Sequence, residues 1–246
     1  MAFDIYRSLE KYYWIVHNDG QRLGSHLTNT AFNIAEYKKI STGTQKPTII
    51  IPGFGKGNSS TYFLRKVLEL NDHNPVKWRL NKNLGFNDEV VEDTIDHIKE
   101  LTDQYGETVN IVGQSVGGCY ARMVANNIPD HINVIVTLGT PINSIEEINP
   151  ESLQDYNDIV GLENGAIIHH GEYSYSFGPN PPVPTTSIYS KEDGLIPWEY
   201  PIIDETHLSE NIETDSTHYA MGLHLHTVNI IADRLIQHKE HWDKYH

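Results

Sequence analysis

The segment 109–118, VNIVGQSVGG, constrains this chain more than any other. A β-branched and apolar run, Val109 to Val112, ends in Gly113-Gln114-Ser115-Val116-Gly117, and a helical pattern starts at once. G-x-S-x-G between a strand and a helix is the sequence form of a nucleophile elbow. A turn that tight strains the backbone of Ser115, and side chains two residues before and two after it would crowd the helix. Gly113 and Gly117, with Gly118, remove them. The Ser115 hydroxyl is then left at the strand tip, near the positive end of the helix.

The pattern on either side of this segment repeats the same rhythm. Residues 3–17 have apolar positions at helical spacing and predict an N-terminal helix. Residues 18–46 are polar and show no pair of alternating strands, which leaves the sheet beginning late. Thr48–Ile51 is a short continuous apolar run, as expected of a strand buried on both faces. It stops at Pro52-Gly53-Phe54-Gly55, and helical spacing resumes from Tyr62 to Leu70. Val76–Leu80 reads as a strand, 88–104 as a helix ending at Gly106, and Ile132–Leu138 as a further buried strand. After a break, Thr186–Ser190 resumes the sheet, Asn211–Thr214 suggests a last short strand, and Met221, Val228, Ile231, Leu235 and Ile236 mark a final amphipathic helix. Strands alternating with helices in this way predict an α/β fold with a mostly parallel, doubly wound sheet. The catalytic groups of such sheets gather at the carboxyl ends of the strands.

Residues 141–184 interrupt the rhythm with a polar stretch in which Tyr173, Tyr175 and Phe177 alternate, ending in four prolines. A long excursion of this kind is either irregular surface or a small lid beside Ser115. At 246 residues the whole chain fits one domain. Its 18 Lys and Arg against 33 Asp and Glu give a net charge of −15, which repels phosphate backbones and anionic headgroups. Nucleic acid is therefore not an expected partner, and no run of 18 apolar residues suggests a membrane span. A single cysteine, Cys119, rules out an intrachain disulfide framework, and MAFDIYRSLEKYYW contains no uninterrupted apolar leader. A cytoplasmic location is the expectation, although a signal removed ahead of residue 1 would leave no trace.

A serine hydroxyl is a weak nucleophile at neutral pH and needs a base within hydrogen-bond reach, itself oriented by a carboxylate. Two residues downstream of Ser115 stand at strand ends. Asp193 follows the strand 186–190, and His218 lies between the last strand and the final helix. Glu192 is the nearest rival acid but points the other way if strand alternation continues; Asp193 could equally be a turn residue beside Gly194. His224 and His226 are rivals for the base, expected on the terminal helix as packing or surface residues.

The phrases IIIPGFG, NIVGQSVGG, TLGTPIN, SIYSKEDGLIPW and STHYAMGLHLHTVNIIADRL resemble the α/β-hydrolase superfamily in its lipase and esterase branch, over residues 47–238. The resemblance implies that Ser115, Asp193 and His218 form a catalytic triad, that the backbone N–H groups of Phe54 and Val116 make the oxyanion hole, and that the substrate is a small-molecule ester. Where the family often has His-Gly at the first oxyanion loop, this chain has Pro52-Gly53. The resemblance implies neither a metal nor an organic cofactor. Thioesterases, amidases, acyltransferases and true lipases share the same triad, and a catalytically silent binding protein of this fold is the alternative from another class. His169-His170 and His224-x-His226 have no obvious carboxylate or cysteine partner at metal-ligand spacing, Cys119 is expected to be buried and inert, and Asp215 is a candidate for orienting the His218 loop.

Overall fold

The computed structural model describes Tyr37 and residues 40–80, 82–85, 88–142, 168–170, 173–175 and 180–246. The expected N-terminal helix over 3–17 lies outside the described residues. In chain order the elements are β1 Pro47–Ile51, α1 Tyr62–Glu69, β2 Asn74–Lys77, α2 Asp88–Tyr105, β3 Val109–Gln114, α3 Val116–Asn127 and β4 Ile132–Leu138. They continue with β5 Ile168–His170, β6 Tyr173–Tyr175, β7 Thr185–Tyr189, β8 Ser209–Glu213 and α4 Leu225–Leu235. Six strands form one sheet in the order β2-β1-β3-β4-β7-β8, and every neighbouring pair runs parallel.

Continuous apolar runs become strands buried on both faces because each face is covered by helices. Ile49, Ile51 and Ile111 pack with Val91, Ile95, Ile98 and Leu101 of α2 and with Val116, Tyr120, Met123 and Val124 of α3. On the opposite face, Ile50, Val112, Val134 and Val136 pack with Leu64, Val67 and Leu68 of α1 and with Val228, Ile231 and Leu235 of α4. Neighbouring residues of one strand thus enter different cores, which is the doubly wound arrangement expected from the sequence. Burying a single Ile, Leu or Val side chain is worth about 1.5–3 kcal/mol, so these two layers anchor all four helices.

Three boundaries differ from the periodicity. The strand expected at 76–80 is Asn74–Lys77, with Pro75 opposite Thr48. Proline is tolerated there because β2 is the edge strand and needs only one ladder. Trp78 has already left the ladder: its N–H donates to Asn58 Oδ1 at 3.1 Å while its indole is buried against the α2 face. The last strand begins two residues earlier than expected, at Ser209, where Ser209 pairs with Thr185. The final helix begins at Leu225, leaving Met221 in a turn ahead of it. Within the 141–184 excursion, β5 and β6 form an antiparallel two-stranded ladder, with His169 opposite Ser174; Phe177 lies outside the described residues.

The carboxyl ends of β1, β3, β4, β7 and β8 arrive at one edge of the sheet. Ile51 is in register with Gly113, Gln114 with Leu138, and Gly139 N–H donates to Ile188 O at 2.9 Å. Towards the opposite edge, the amino end of β8 is pinned to the carboxyl end of α4 by a buried ion pair, Arg234 Nη1 to Glu210 Oε1 at 3.0 Å. Thr186 Oγ1 and the Tyr245 N–H also donate to the Glu210 carboxylate, each at 2.7 Å, and Arg234 donates to Asp243 O at 2.6 Å. Glu210→Ala leaves the buried Arg234 with the carboxylate of Asp233 as its remaining partner and strips Thr186 and Tyr245 of their acceptor, which should cost about 2–4 kcal/mol of stability in urea unfolding. A loss below about 1 kcal/mol would place this pair among those that contribute little.

Candidate active site

Ser115 sits between β3 and α3 with φ 53° and ψ −129°, a conformation that a non-glycine residue adopts only when its surroundings impose it. Ser115 N–H donates to Leu138 O at 2.8 Å, and Ser115 O accepts from Gly118 N–H at 2.8 Å and from Thr140 Oγ1 at 2.9 Å. The glycines around it are required by close approach. A Cβ on Gly117 would fall on the Ile51 carbonyl and 2.7 Å from Pro52 O, and one on Gly113 would meet Gly117 O at 2.5 Å. The elbow can therefore lie flat against the end of β1.

The strand ends on either side deliver the other groups. His218 Nδ1–H donates to Asp193 Oδ2 at 2.7 Å, and the two side chains are 2% and 1% exposed. Asp193 Oδ1 accepts the N–H groups of Leu195 at 2.9 Å and Ile196 at 2.8 Å. Three of the four acceptor positions on the carboxylate are thus shared between the turn that holds it and the ring that it holds. With the proton on Nδ1, Nε2 carries the lone pair and is the nitrogen able to accept a proton. Ser115 Oγ and the His218 ring are not hydrogen-bonded to each other; catalytic hydrogen bonds of this kind often tighten only with substrate in place. Ser115 is 9% exposed.

The backbone on the opposite side of Ser115 comes from the loop after β1. A Cβ on Gly53 would stand 3.2 Å from Ser115 Cβ, so this loop passes directly over the nucleophile position. Among the described residues, neither the Phe54 N–H nor the Val116 N–H has a hydrogen-bond acceptor. Val116 is buried and Phe54 half-buried, and both N–H groups stand beside the strained serine.

The comparisons with known proteins bear on the fold. A family model described as a PGAP1-like alpha/beta domain matches residues 81–178, less than half of the chain. No curated protein matches. Among solved structures, Aspergillus fumigatus lipase B is similar with a TM-score of 0.60 and 16% identity, over 82% of this chain but only 55% of that one. Paleococcus ferrophilus monoacylglycerol lipase is similar with a TM-score of 0.54 and 14% identity, over 80% of this chain and 96% of that one. A serine hydrolase involved in carbazole degradation gives 0.54 and 17%, over 80% and 92%. The chain has the α/β-hydrolase fold.

Several residues of this α/β-hydrolase fold could not be singled out in advance. Gly139, directly after β4, has φ +53°, and a Cβ there would lie 2.9 Å from Asp193 Oδ2 and 3.0 Å from His218 Nδ1. It is the floor on which the acid and the histidine meet. Gln114, the residue before the serine, donates from Nε2 to His218 O at 3.3 Å and ties the elbow to the histidine loop. Only the G in TLGTP signalled the first of these, and nothing local signalled the second.

The rival residues fall elsewhere. Asp215 is exposed and lies 3.6 Å from His224 Nε2, a contact across the loop that holds His218. His224 precedes α4 as its N-cap and is not within the helix, while His226 is exposed on its first turn. Glu192 is exposed, and its N–H donates to Ser190 Oγ in the turn. Among the described residues no group of three or more His, Cys, Asp and Glu could hold a metal, and no helix is long and apolar enough to cross a membrane. Cys119 is fully buried with Sγ 3.5 Å from Pro141 O, and burial pushes its thiol up to about 12. The thiolate is the reactive form, so the native protein should not react with Ellman's reagent at pH 8, whereas the unfolded chain should release one equivalent. Fast reaction of the native protein would contradict this burial.

Proposed function

We propose that this chain is a serine hydrolase that cleaves carboxylic esters of small to medium apolar acyl groups through an acyl-enzyme. The observation that carries the reading is the buried 2.7 Å hydrogen bond between His218 and Asp193, brought by two separate strand ends to the Gly139 floor beside Ser115. A buried, carboxylate-oriented imidazole next to a strained serine suits acyl transfer. The lipases among the similar structures support esters as the substrate class, and the serine hydrolase supports a serine nucleophile.

In this mechanism His218 Nε2 takes the proton from Ser115 Oγ as the oxygen attacks the ester carbonyl carbon. The carbonyl π electrons move onto oxygen, and the N–H groups of Phe54 and Val116 hold the resulting oxyanion. One such donor contributes about 3–4 kcal/mol to the transition state. Collapse reforms the carbonyl and expels the alkoxide, which leaves as alcohol with the proton from His218. Water then repeats the sequence on the acyl-enzyme: His218 takes its proton, hydroxide adds, and Ser115 Oγ leaves with that proton. Asp193 keeps the proton on Nδ1 and stabilises the imidazolium without itself being protonated.

Three variants test the assignment. With nitrophenyl esters, Ser115→Ala and His218→Ala should each lower kcat by about 10⁴-fold or more, and Asp193→Asn by about 10³–10⁴-fold with a smaller change in KM. A fluorophosphonate should add one equivalent of mass to the wild type and none to Ser115→Ala. Undiminished turnover by Ser115→Ala would remove the serine from the chemistry. A rate that rises with acyl length to long chains would change the substrate class from esterase-like to lipase-like.

A further inference from the structure

The loop after β1 has no regular secondary structure, yet the mechanism above needs the Phe54 N–H held in place over Ser115. A displacement of about 1 Å at such a site can cost 10²-fold in rate. The loop after β2 supplies the restraint. Asn83 is 0% exposed, and its Nδ2 donates to Pro52 O at 2.8 Å while its Oδ1 accepts the Gly85 N–H at 3.2 Å. Its backbone grips the other side of the same bend: Gly55 N–H donates to Asn83 O at 2.7 Å, and Asn83 N–H donates to Lys56 O at 2.8 Å. One residue therefore holds the chain on both sides of Gly53-Phe54.

The network continues to the elbow helix. Gly85 O accepts the hydroxyl of Tyr120, which is fully buried on α3, the helix that begins at Val116. The far end of the β1 loop is fastened independently, by Asn58 Nδ2 donating to Trp78 O at 2.8 Å. The Asn83 amide thus acts locally, at the carbonyl of the residue that precedes Gly53. We propose that Asn83 is a positioning residue that sets the Phe54 N–H against the oxyanion, with Tyr120 linking that loop to the helix of the second donor; this rests on the serine-hydrolase reading.

The test uses the full chain, p-nitrophenyl butyrate and a trifluoromethyl ketone of matched acyl length. Asn83→Asp keeps the volume and the acceptor for Gly85 but puts an oxygen where Pro52 O needs a donor. The expected result is a fall in kcat of about 10–100-fold with KM within about twofold of wild type. Affinity for the ketone should fall in parallel with kcat, because its adduct carries the same oxyanion. At lower pH the buried carboxyl that the substitution introduces takes up a proton and can donate again, so the deficit relative to wild type should shrink. If this variant does not fold, Tyr120→Phe breaks the network one bond further out and should lower kcat and ketone affinity together by a smaller factor. A variant that loses thermal stability but keeps kcat, or loses kcat with unchanged ketone affinity, overturns the proposal and leaves the hydrolase reading standing. Wild-type protein that neither turns over the ester nor binds the ketone overturns both.

Discussion

The strained turn at Ser115 is the constraint on which the arrangement depends. A non-glycine residue at φ 53°, ψ −129° costs on the order of 1–3 kcal/mol, and the surroundings must over-determine it. Leu138 O, the Gly118 N–H and the Thr140 hydroxyl fix its backbone, and the absence of side chains at Gly113 and Gly117 lets α3 lie against the end of β1. Because β1, β3 and β4 meet in register at this edge, fixing the elbow also fixes the loops after β1 and β4 relative to the serine. One contributes the Phe54 N–H; the other contributes the Gly139 floor under His218 and Asp193.

The surrounding polar groups show a consistent division of labour. The buried carboxylates have donors on both oxygens: Asp193 at the carboxyl edge of the sheet, and Glu210 at the amino end of β8. A buried carboxylate without such partners would be strongly disfavoured. The Glu210–Arg234 pair lies between β8 and α4, the two elements that flank the His218 loop. It joins the amino end of β8 to the carboxyl end of α4 and so fixes these two elements side by side, while Gln114 holds the loop between them. A serine site of this kind thus draws on contacts from five strand ends and two helices.

Much of this was legible in the sequence, and the part that was not has a physical reason. Continuous apolar runs at 48–51, 109–112 and 132–138 could only become strands buried on two faces, and the G-x-S-x-G turn located the edge where they end. Asp193 and His218 were found from their places after strands, not from their distance to Ser115. β2 was misplaced because an edge strand needs little hydrophobicity and because Trp78 is drawn out of the ladder by Asn58, twenty residues away. Gln114, Gly139 and Asn83 had no local signature. Their roles lie in contacts such as Gln114 to His218 or Asn83 to Pro52, which form only once the sheet has brought separate loops together.

The central claim is that the strained serine, the Phe54 and Val116 N–H groups and the Asp193–His218 pair converge on one reacting carbonyl. A crystal structure of the protein after reaction with a fluorophosphonate tests this most directly. The account predicts phosphorus bonded to Ser115 Oγ and its non-bridging oxygen about 2.7–3.1 Å from the N atoms of Phe54 and Val116, with His218 Nε2 facing the leaving-group side. An adduct whose oxygen points away from both N–H groups, or a reagent bound at a residue other than Ser115, would contradict it.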